Sequence, residues 1–247
     1  MRNNPSEVPA TAADVIGIVC PVYHWSVCEP IQKFLKALEV NPNAYIFAVT
    51  TPVAINGYAF ETIDSILREK GAHLHYGRIL YSIANLCIAY PPFPSERHKI
   101  PKTEKELGKI AKELAAQKET KYPKASLATK LAYPKVMPKF LPMQPEIDKG
   151  FYISNDCVSC AICAKVCPTQ NITLADGKPA FSHHCCSCMA CVAWCPKKAV
   201  KYSFPEEQAA QFKTRLKGMM KLPETRKRYH HPMVTWSDLA ENQRYYK

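Results

Sequence analysis

The first third of the chain alternates between continuous apolar runs and amphipathic stretches. Residues 14–20 and 44–50 are continuous apolar runs, which predict β-strands covered on both faces. Residues 29–39 and 60–70 place apolar side chains on one helical stripe and predict helices, and residues 74–83 predict a third strand. This order predicts a parallel sheet with right-handed crossovers.

The pattern changes between residues 83 and 145. Prolines at positions 91, 92 and 94 interrupt regular structure. Thr103 and Glu106 form a capping box, which predicts that an amphipathic helix begins there and packs against the sheet. Further prolines predict an extended connection; they are Pro134, Pro138, Pro142 and Pro145. After residue 202 a basic tail follows, with a helix predicted from about residue 206 to residue 219.

Eight of the twelve cysteines repeat one spacing, C-x2-C-x2-C-x3-C-P, at an offset of 28 residues. The first run is Cys157, Cys160, Cys163 and Cys167, and the second is Cys185, Cys188, Cys191 and Cys195. An internal repeat predicts a duplicated loop–helix unit with local two-fold symmetry. Between the runs, residues 172–181 predict two short strands around a turn at Asp176 and Gly177.

This spacing is that of bacterial ferredoxins, in which the fourth cysteine of each run binds the other 4Fe–4S cluster. We therefore expect one cluster at Cys157, Cys160, Cys163 and Cys195, and the other at Cys185, Cys188, Cys191 and Cys167. Disulfides are disfavoured because no apolar signal segment is found in residues 1–9. Zinc is disfavoured because zinc knuckles pair two C-x2-C units over a longer interval.

Composition and charge limit the binding partners and the cell compartment that we expect for this protein. The formal net charge is +12, and residues 97–139 contribute twelve Lys or Arg against four Glu. Such a stretch is either a solvated basic surface or a surface that steers an acidic redox partner. We expect no nucleic-acid partner, since no nucleic-acid motif is present. Because no apolar run reaches the length of about eighteen residues of a membrane span, and because thiolate clusters need reducing conditions, we expect the cytoplasm of an anaerobe.

The chain resembles a flavodoxin-like domain fused to a bacterial-type two-cluster ferredoxin. The ferredoxin half resembles that family in the cysteine runs and residues 194–200, and the first half does so in residues 14–25, residues 45–51 and the loop reaching Asn56 and Gly57. The resemblance implies an α/β protein with a small α+β domain: an N-terminally truncated flavodoxin-like parallel sheet, then a two-cluster ferredoxin domain. The implied boundaries are a partial flavodoxin-like domain (1–95), a helical, proline-rich basic connector (96–147), the ferredoxin domain (148–205) and a basic helix and tail (206–247).

The same resemblance implies an FMN site at the carboxyl ends of the strands. Its residues would be Tyr23, Trp25, Thr50, Thr51, Asn56 and Gly57. Tyr23 and Trp25 would either stack on the flavin ring or cap the sheet edge.

The sequence departs from flavodoxins at its start. Residues 1–11 are too short and too proline-broken for the strand and Ser/Thr/Gly loop that hold the FMN phosphate. Without those strands, residues 14–20 would form an unpaired apolar edge. We expect a partner chain or the N-terminal residues to cover that edge.

The expected function is one-electron transfer through two 4Fe–4S clusters, without a hydrolytic catalytic site. Two alternatives stay open: an FMN-dependent reductase fed by its own ferredoxin domain, and a non-catalytic subunit of a redox complex. The remaining cysteines have no metal spacing. Cys20, Cys28 and Cys87 are expected to be buried apolar residues, and Cys186 a spare thiol beside Cys185.

Overall fold

A computed structural model describes residues 13–141, 144–205 and 220–241. These residues form a mixed α/β structure in two compact units. Of the described residues, the first unit contains 13–84 and 94–141, and the second contains 85–93, 144–205 and 220–241. The helices of residues 96–141 thus belong to the same unit as the first sheet. In the described part of the chain, no helix is long and apolar enough to cross a membrane.

The first unit is built on a four-stranded sheet with the order β2-β1-β3-β4. Its strands are β1 (Val15–Tyr23), β2 (Ser26–Val27), β3 (Tyr45–Thr51) and β4 (Tyr76–Ile79). The predicted parallel pairing is confirmed, because β1 pairs with β3 and β3 with β4 in parallel. The sequence did not predict β2, which pairs antiparallel with the last two residues of β1.

Two helices bury their apolar stripes against this sheet, as predicted. They are α1 (Glu29–Ala37) and α2 (Ala59–Arg68). Leu35 is 1% exposed and Phe60 and Ile63 are fully buried. Gly71 follows α2 with a φ of +75°, a left-handed conformation that suits glycine after a helix.

The prediction that both faces of the first strand are covered is wrong. Ile18 and Cys20 are buried, but Val15 is 46% exposed and Val19 is 67% exposed. Alternate side chains of a strand point to opposite faces, so one face of β1 packs on the core and the other does not. On the edge away from β3, no strand of the described chain pairs with the stretch of β1 before Val22.

The predicted start of the next helix is also wrong. Helix α3 (Glu96–Ala115) begins seven residues before Thr103, directly after Ser95. Thr103 lies inside the helix, and its hydroxyl donates to the carbonyl of Lys99 at 3.0 Å instead of capping. Pro101 lies in the second turn, where the missing N–H removes the helical hydrogen bond to the carbonyl of Arg97.

The extended connection predicted from prolines is a helix in its first part. Helix α4 (Leu127–Phe140) contains Pro134 and Pro138. The Ser126 side chain accepts a hydrogen bond from the Thr129 N–H at 3.2 Å and caps the helix. Prolines four residues apart lie on one helix face, and here both are exposed, so the interrupted backbone bonds face solvent. Pro142 lies outside the described residues.

The second unit holds two small sheets. Strand β5 (Phe151–Ile153) pairs antiparallel with β8 (Val200–Tyr202), and β6 (Ile172–Ala175) with β7 (Lys178–Phe181). The predicted hairpin between the cysteine runs is confirmed: Asp176 and Gly177 have φ of +49° and +75°. The helices are α5 (Ile162–Lys165), α6 (Ala190–Ala193) and α7 (Trp236–Glu241). The helix predicted over 206–219 lies outside the described residues.

Asp64 is a buried carboxylate that joins three parts of the first unit. Its oxygens accept from the Leu74 N–H at 2.9 Å, from Arg68 Nε at 2.8 Å and from the Tyr122 hydroxyl at 3.0 Å. We expect Asp64→Asn to lower the free energy of unfolding by about 2 kcal/mol, because an amide nitrogen would face a donor. Urea denaturation of the full chain measures this, and the exposed Glu106→Gln is the control, with an expected change under about 0.5 kcal/mol.

The same carboxylate makes the first unit sensitive to acid. Burial raises the pKa of Asp64, but hydrogen bonds from Leu74, Arg68 and Tyr122 outweigh burial and hold the pKa below its ordinary 3.8. Its stabilising contribution is therefore complete above pH 3.8 and is lost as the pH falls through the depressed pKa. We expect amide hydrogen exchange at Leu74 to accelerate below about pH 4 in the native chain. An unchanged Leu74 exchange profile between native and Asp64→Asn chains would contradict this assignment.

Candidate functional site

Two cavities in the second unit are each lined by four of the repeated cysteines. The first is lined by Cys157, Cys160, Cys163 and Cys195, and the second by Cys167, Cys185, Cys188 and Cys191. Each cavity takes three cysteines from one run and the fourth from the other. This is the same crossed grouping that the spacing led us to expect. We call these cavities site 1 and site 2.

The backbone conformation of the first ligand loop recurs in the second loop, at the same offset as the cysteines. Ser159 and Ala161 have φ of +55° and +60°, and Ser187 and Met189, 28 residues later, have φ of +59° and +60°. Helices α5 and α6 begin directly after Ala161 and Met189. A left-handed backbone at a residue other than glycine costs about 1 kcal/mol or more. The loops therefore keep this geometry although the sequence has no glycine at these positions.

Backbone N–H groups point at the sulfur atoms. The Asn171 N–H donates to Cys167 Sγ at 3.3 Å, and the Ala199 N–H donates to Cys195 Sγ at 3.2 Å. These two bonds are again 28 residues apart. The Ser187 N–H adds a bond to Cys185 Sγ at 3.3 Å. Such donors stabilise negative charge on sulfur and orient a thiolate toward a metal.

Burial keeps several of these thiols protonated when no metal neutralises them. It raises the pKa of Cys163 to about 11 and that of Cys185 to about 12. Burial also raises the pKa of Cys191. Metal ligation requires the thiolate, so binding of a positively charged group at these sites would release protons.

Four thiols line each cavity, a donor set that suits metals with a preference for thiolate ligands. Among the described residues, no three His, Cys, Asp or Glu side chains converge closely enough to hold a single metal ion. A tetrahedral zinc site needs sulfurs about 4 Å apart, given Zn–S bonds of about 2.3 Å. A cubane instead binds each thiolate at a different iron corner, so its four ligands stand further apart.

Asp148 anchors the loop around site 2. This carboxylate is 1% exposed and accepts from Asn171 Nδ2 at 2.6 Å and from the His183 N–H at 3.1 Å. A further contact joins Asp148 to His183 Nδ1 at 2.8 Å. Asn171 is the residue whose backbone N–H donates to Cys167. Asp148 thus fixes the sulfur-bonding loop from a distant point in the chain.

Arg228 ties the two ligand sets together. Its guanidinium donates to the carbonyls of Val192, Lys198 and Val200, each at 3.1 Å. Val192 follows the site 2 ligand Cys191, whereas the other two carbonyls flank Ala199, which donates to Cys195 of site 1. Burial lowers the pKa of Arg228, but a guanidinium stays cationic at neutral pH. The sequence showed only a basic tail here and gave no signal for this role.

The residues expected to bind FMN lie at the carboxyl ends of β1 and β3 and in the loops that follow these two strands. The Tyr58 N–H donates to the Trp25 carbonyl at 2.8 Å, and a Cβ on Gly57 would lie 1.9 Å from that carbonyl oxygen. Position 57 therefore requires glycine. Tyr23, Trp25 and Thr51 are partly exposed, whereas Thr50, Asn56 and Gly57 are buried.

Two of those residues are already bonded to each other. The Thr50 hydroxyl donates to Asn56 Oδ1 at 2.6 Å. Asn56 Nδ2 is buried and has no hydrogen-bond partner in the described part of the chain. The Thr50 hydroxyl therefore stabilises the loop. The buried Asn56 Nδ2 can still donate a hydrogen bond to an acceptor on a ligand.

Comparison with known proteins gave no match to a family model, a curated protein or a solved structure. The site is therefore interpreted from its own residues and geometry.

The strained loop positions give a direct test of the geometry. We expect Ala161→Gly to stabilise the loaded protein by about 0.5–1 kcal/mol, because glycine adopts φ near +60° without a Cβ penalty. Met189→Gly at the equivalent position should destabilise it, because the Met189 side chain is 2% exposed and packs in the core. Thermal unfolding followed by circular dichroism measures both. Equal effects of the two variants would contradict the strain assigned to position 161 and the packing assigned to position 189.

Proposed function

We propose that this protein is an iron–sulfur electron-transfer protein that carries low-potential electrons through two 4Fe–4S clusters. The observation that supports the proposal is the crossed grouping of eight cysteines around two cavities. Three thiols on one loop can reach three corners of a cubane, and the fourth comes from the other run. A bound cluster would supply reversible one-electron chemistry.

The chain's own residues would hold and tune these groups. Cys167 and Cys195 each belong to one run and line the cavity of the other, so they tie the two loops together. The N–H groups of Asn171 and Ala199 reduce the charge density on these two sulfurs. Arg228 places a cation beside both ligand sets, where it favours the more negative, reduced state.

Iron content tests this proposal. Anaerobic reconstitution with iron and sulfide should give about eight irons per chain, with broad absorbance at the blue end of the visible range. Replacing both Cys157 and Cys185 by Ser should remove most of that iron, because each site loses a ligand. The matched control is the Cys20→Ser and Cys186→Ser double variant, which should keep about eight irons. Fewer than about seven irons in the native chain, or equal loss in both variants, would refute the proposal.

Cys186 makes this control informative. It also lines site 2, directly beside the ligand Cys185. Its side chain carries a hydrogen bond that lowers the pKa of Cys188. The control therefore separates a cysteine that supports a ligand from one that is a ligand.

Arg228 gives a second, electrostatic test. We expect Arg228→Gln to lower the reduction potentials measured by anaerobic redox titration, because a nearby cation stabilises the added electron. Merely opening this segment to water would raise the potentials instead, since water stabilises the charged reduced state. Arg228→Lys keeps the charge and should retain potentials closer to native. A potential that rises in Arg228→Gln would show that packing, not charge, is what this residue contributes.

An FMN-dependent reductase is the second candidate. The observation that favours it is the buried, unpartnered Asn56 amide between two loops at the carboxyl ends of β1 and β3. Nothing in the described residues supplies a Ser/Thr/Gly loop after β1, which continues into β2 instead, so the flavin phosphate has no evident cradle. We therefore assign no catalytic step to a flavin. Fluorescence titration with FMN tests this candidate. If micromolar concentrations of the protein do not quench FMN fluorescence, the candidate is removed.

A further inference from the structure

The two ligand loops are related by the repeat but differ in exposure. In the first loop Val158 is 56% exposed, and Ser159 and Cys160 are exposed as well. The three equivalent residues of the second loop are less exposed: Cys186 and Ser187 are 6% and 7% exposed, and Cys188 is partly exposed. Because the backbone of the two loops is nearly the same, neighbouring segments must cause this difference.

Several segments cover the second loop. Gln144 Nε2 donates to the Cys186 carbonyl at 3.5 Å, and the Cys185 N–H donates to the Pro145 carbonyl at 3.1 Å. Cys87 is fully buried in the same apolar cluster as Cys185, and Arg226 donates to its carbonyl at 3.0 Å. Residues 144 and 145 thus contact the second ligand loop directly, and Cys87 packs in the same apolar cluster.

Fewer residues cover the first ligand loop than the second. The turn at Gly177 passes Ser159, with a distance of 3.4 Å from an ideal Cβ on Gly177 to Ser159 Oγ. Val158 and the ligand Cys160 stay exposed beside this turn. A redox partner can therefore approach the exposed Cys160 of site 1 directly, whereas the equivalent Cys188 of site 2 is only partly exposed.

We infer that site 1 is the electron port of this protein and that residues 158–160 are the contact for an external one-electron carrier protein. The inference rests on the proposed function. A reduced carrier gives one electron to the oxidised cluster of site 1 and is itself oxidised by one electron, with no bond made or broken. The electron then passes to site 2, the inner cluster. Tunnelling falls steeply with distance, so exchange at the exposed loop is the faster route.

The surface around the port fits a transient partner. The apolar Val158 is flanked in the chain by the exposed anion Asp156, and the closing segment of site 1 carries the exposed cations Lys197 and Lys198. Charges of both signs around a small apolar centre suit the small interfaces of electron-transfer encounters. They do not select a strongly charged partner at this loop.

Cluster-specific oxidation tests the inference. The anaerobically loaded protein is treated with ferricyanide and a chelator until about four irons remain, and it is then alkylated with iodoacetamide and mapped by mass spectrometry. We expect Cys157, Cys160, Cys163 and Cys195 to be labelled at least fivefold more than Cys167, Cys185, Cys188 and Cys191. Cys87, which is fully buried, serves as the control for unfolding and should stay unlabelled.

The outcomes separate this inference from the proposed function. Equal labelling of both sets, or preferential labelling of the site 2 set, in a protein that begins with about eight irons overturns the port and leaves the two clusters standing. Labelling of Cys157, Cys160, Cys163 and Cys167 together overturns the crossed ligation and the port with it. Initial loading below about seven irons overturns both.

A charge placed at the port gives an independent kinetic test. Ferricyanide is an anion, so Val158→Glu should slow oxidation of the dithionite-reduced protein at least threefold at low salt, and Val158→Arg should accelerate it. Both effects should fade at about 1 M salt. The matched controls are Met233→Glu and Met233→Arg at another exposed apolar residue, 74% exposed, of the same unit. Equal effects at positions 158 and 233 overturn the inference.

Discussion

The arrangement of the cysteine-rich unit depends on one constraint: each run of cysteines supplies three thiols to its own cavity and must send its fourth to the other. Neither loop can complete its cavity alone, so the two halves of the repeat have to stay in fixed register. The backbone meets this constraint with left-handed residues at Ser159, Ala161, Ser187 and Met189. Such conformations are unfavourable for these residue types, so surrounding contacts have to hold them.

Two charged side chains, the buried Asp148 and the partly buried Arg228, hold segments next to the ligand loops. Asp148 binds the loop at Asn171 and His183, and Arg228 binds the carbonyls around Cys195 and after Cys191. Each satisfies several backbone or side-chain groups at once, which offsets the cost of burying a charge. The charges of Asp148 and Arg228 have opposite signs and therefore different electrostatic effects on a bound group. A cation beside the ligand sets favours reduction of a bound cluster, so the architecture that fixes the thiols also sets their electrostatic environment.

In the first unit, too, charged side chains join distant segments through hydrogen bonds. Asp64 joins α2 to the segment around Tyr122, and Glu113 of α3 accepts from the Tyr76 hydroxyl at 2.8 Å on β4. Hydrogen bonds from Lys118, Tyr76 and Arg78 lower the pKa of Glu113 to about 2. These long-range bonds explain why residues 96–141 pack with the sheet. The prolines in this stretch suggested a separate connector, because proline preferences are local and tertiary bonds are not.

The sequence alone determined the parallel strands, both amphipathic helices after them, the Asp176–Gly177 hairpin and the grouping of cysteines, because each depends on periodicity or spacing within a short stretch. It failed where distant residues decide the outcome. The roles of Asp148 and Arg228 depend on partners tens of residues away, and the face of β1 that carries Val15 and Val19 is exposed because nothing in the described chain packs on these two side chains. The unequal burial of two nearly identical loops is of the same kind: the repeat makes them alike, and only the segments folded around them make them different.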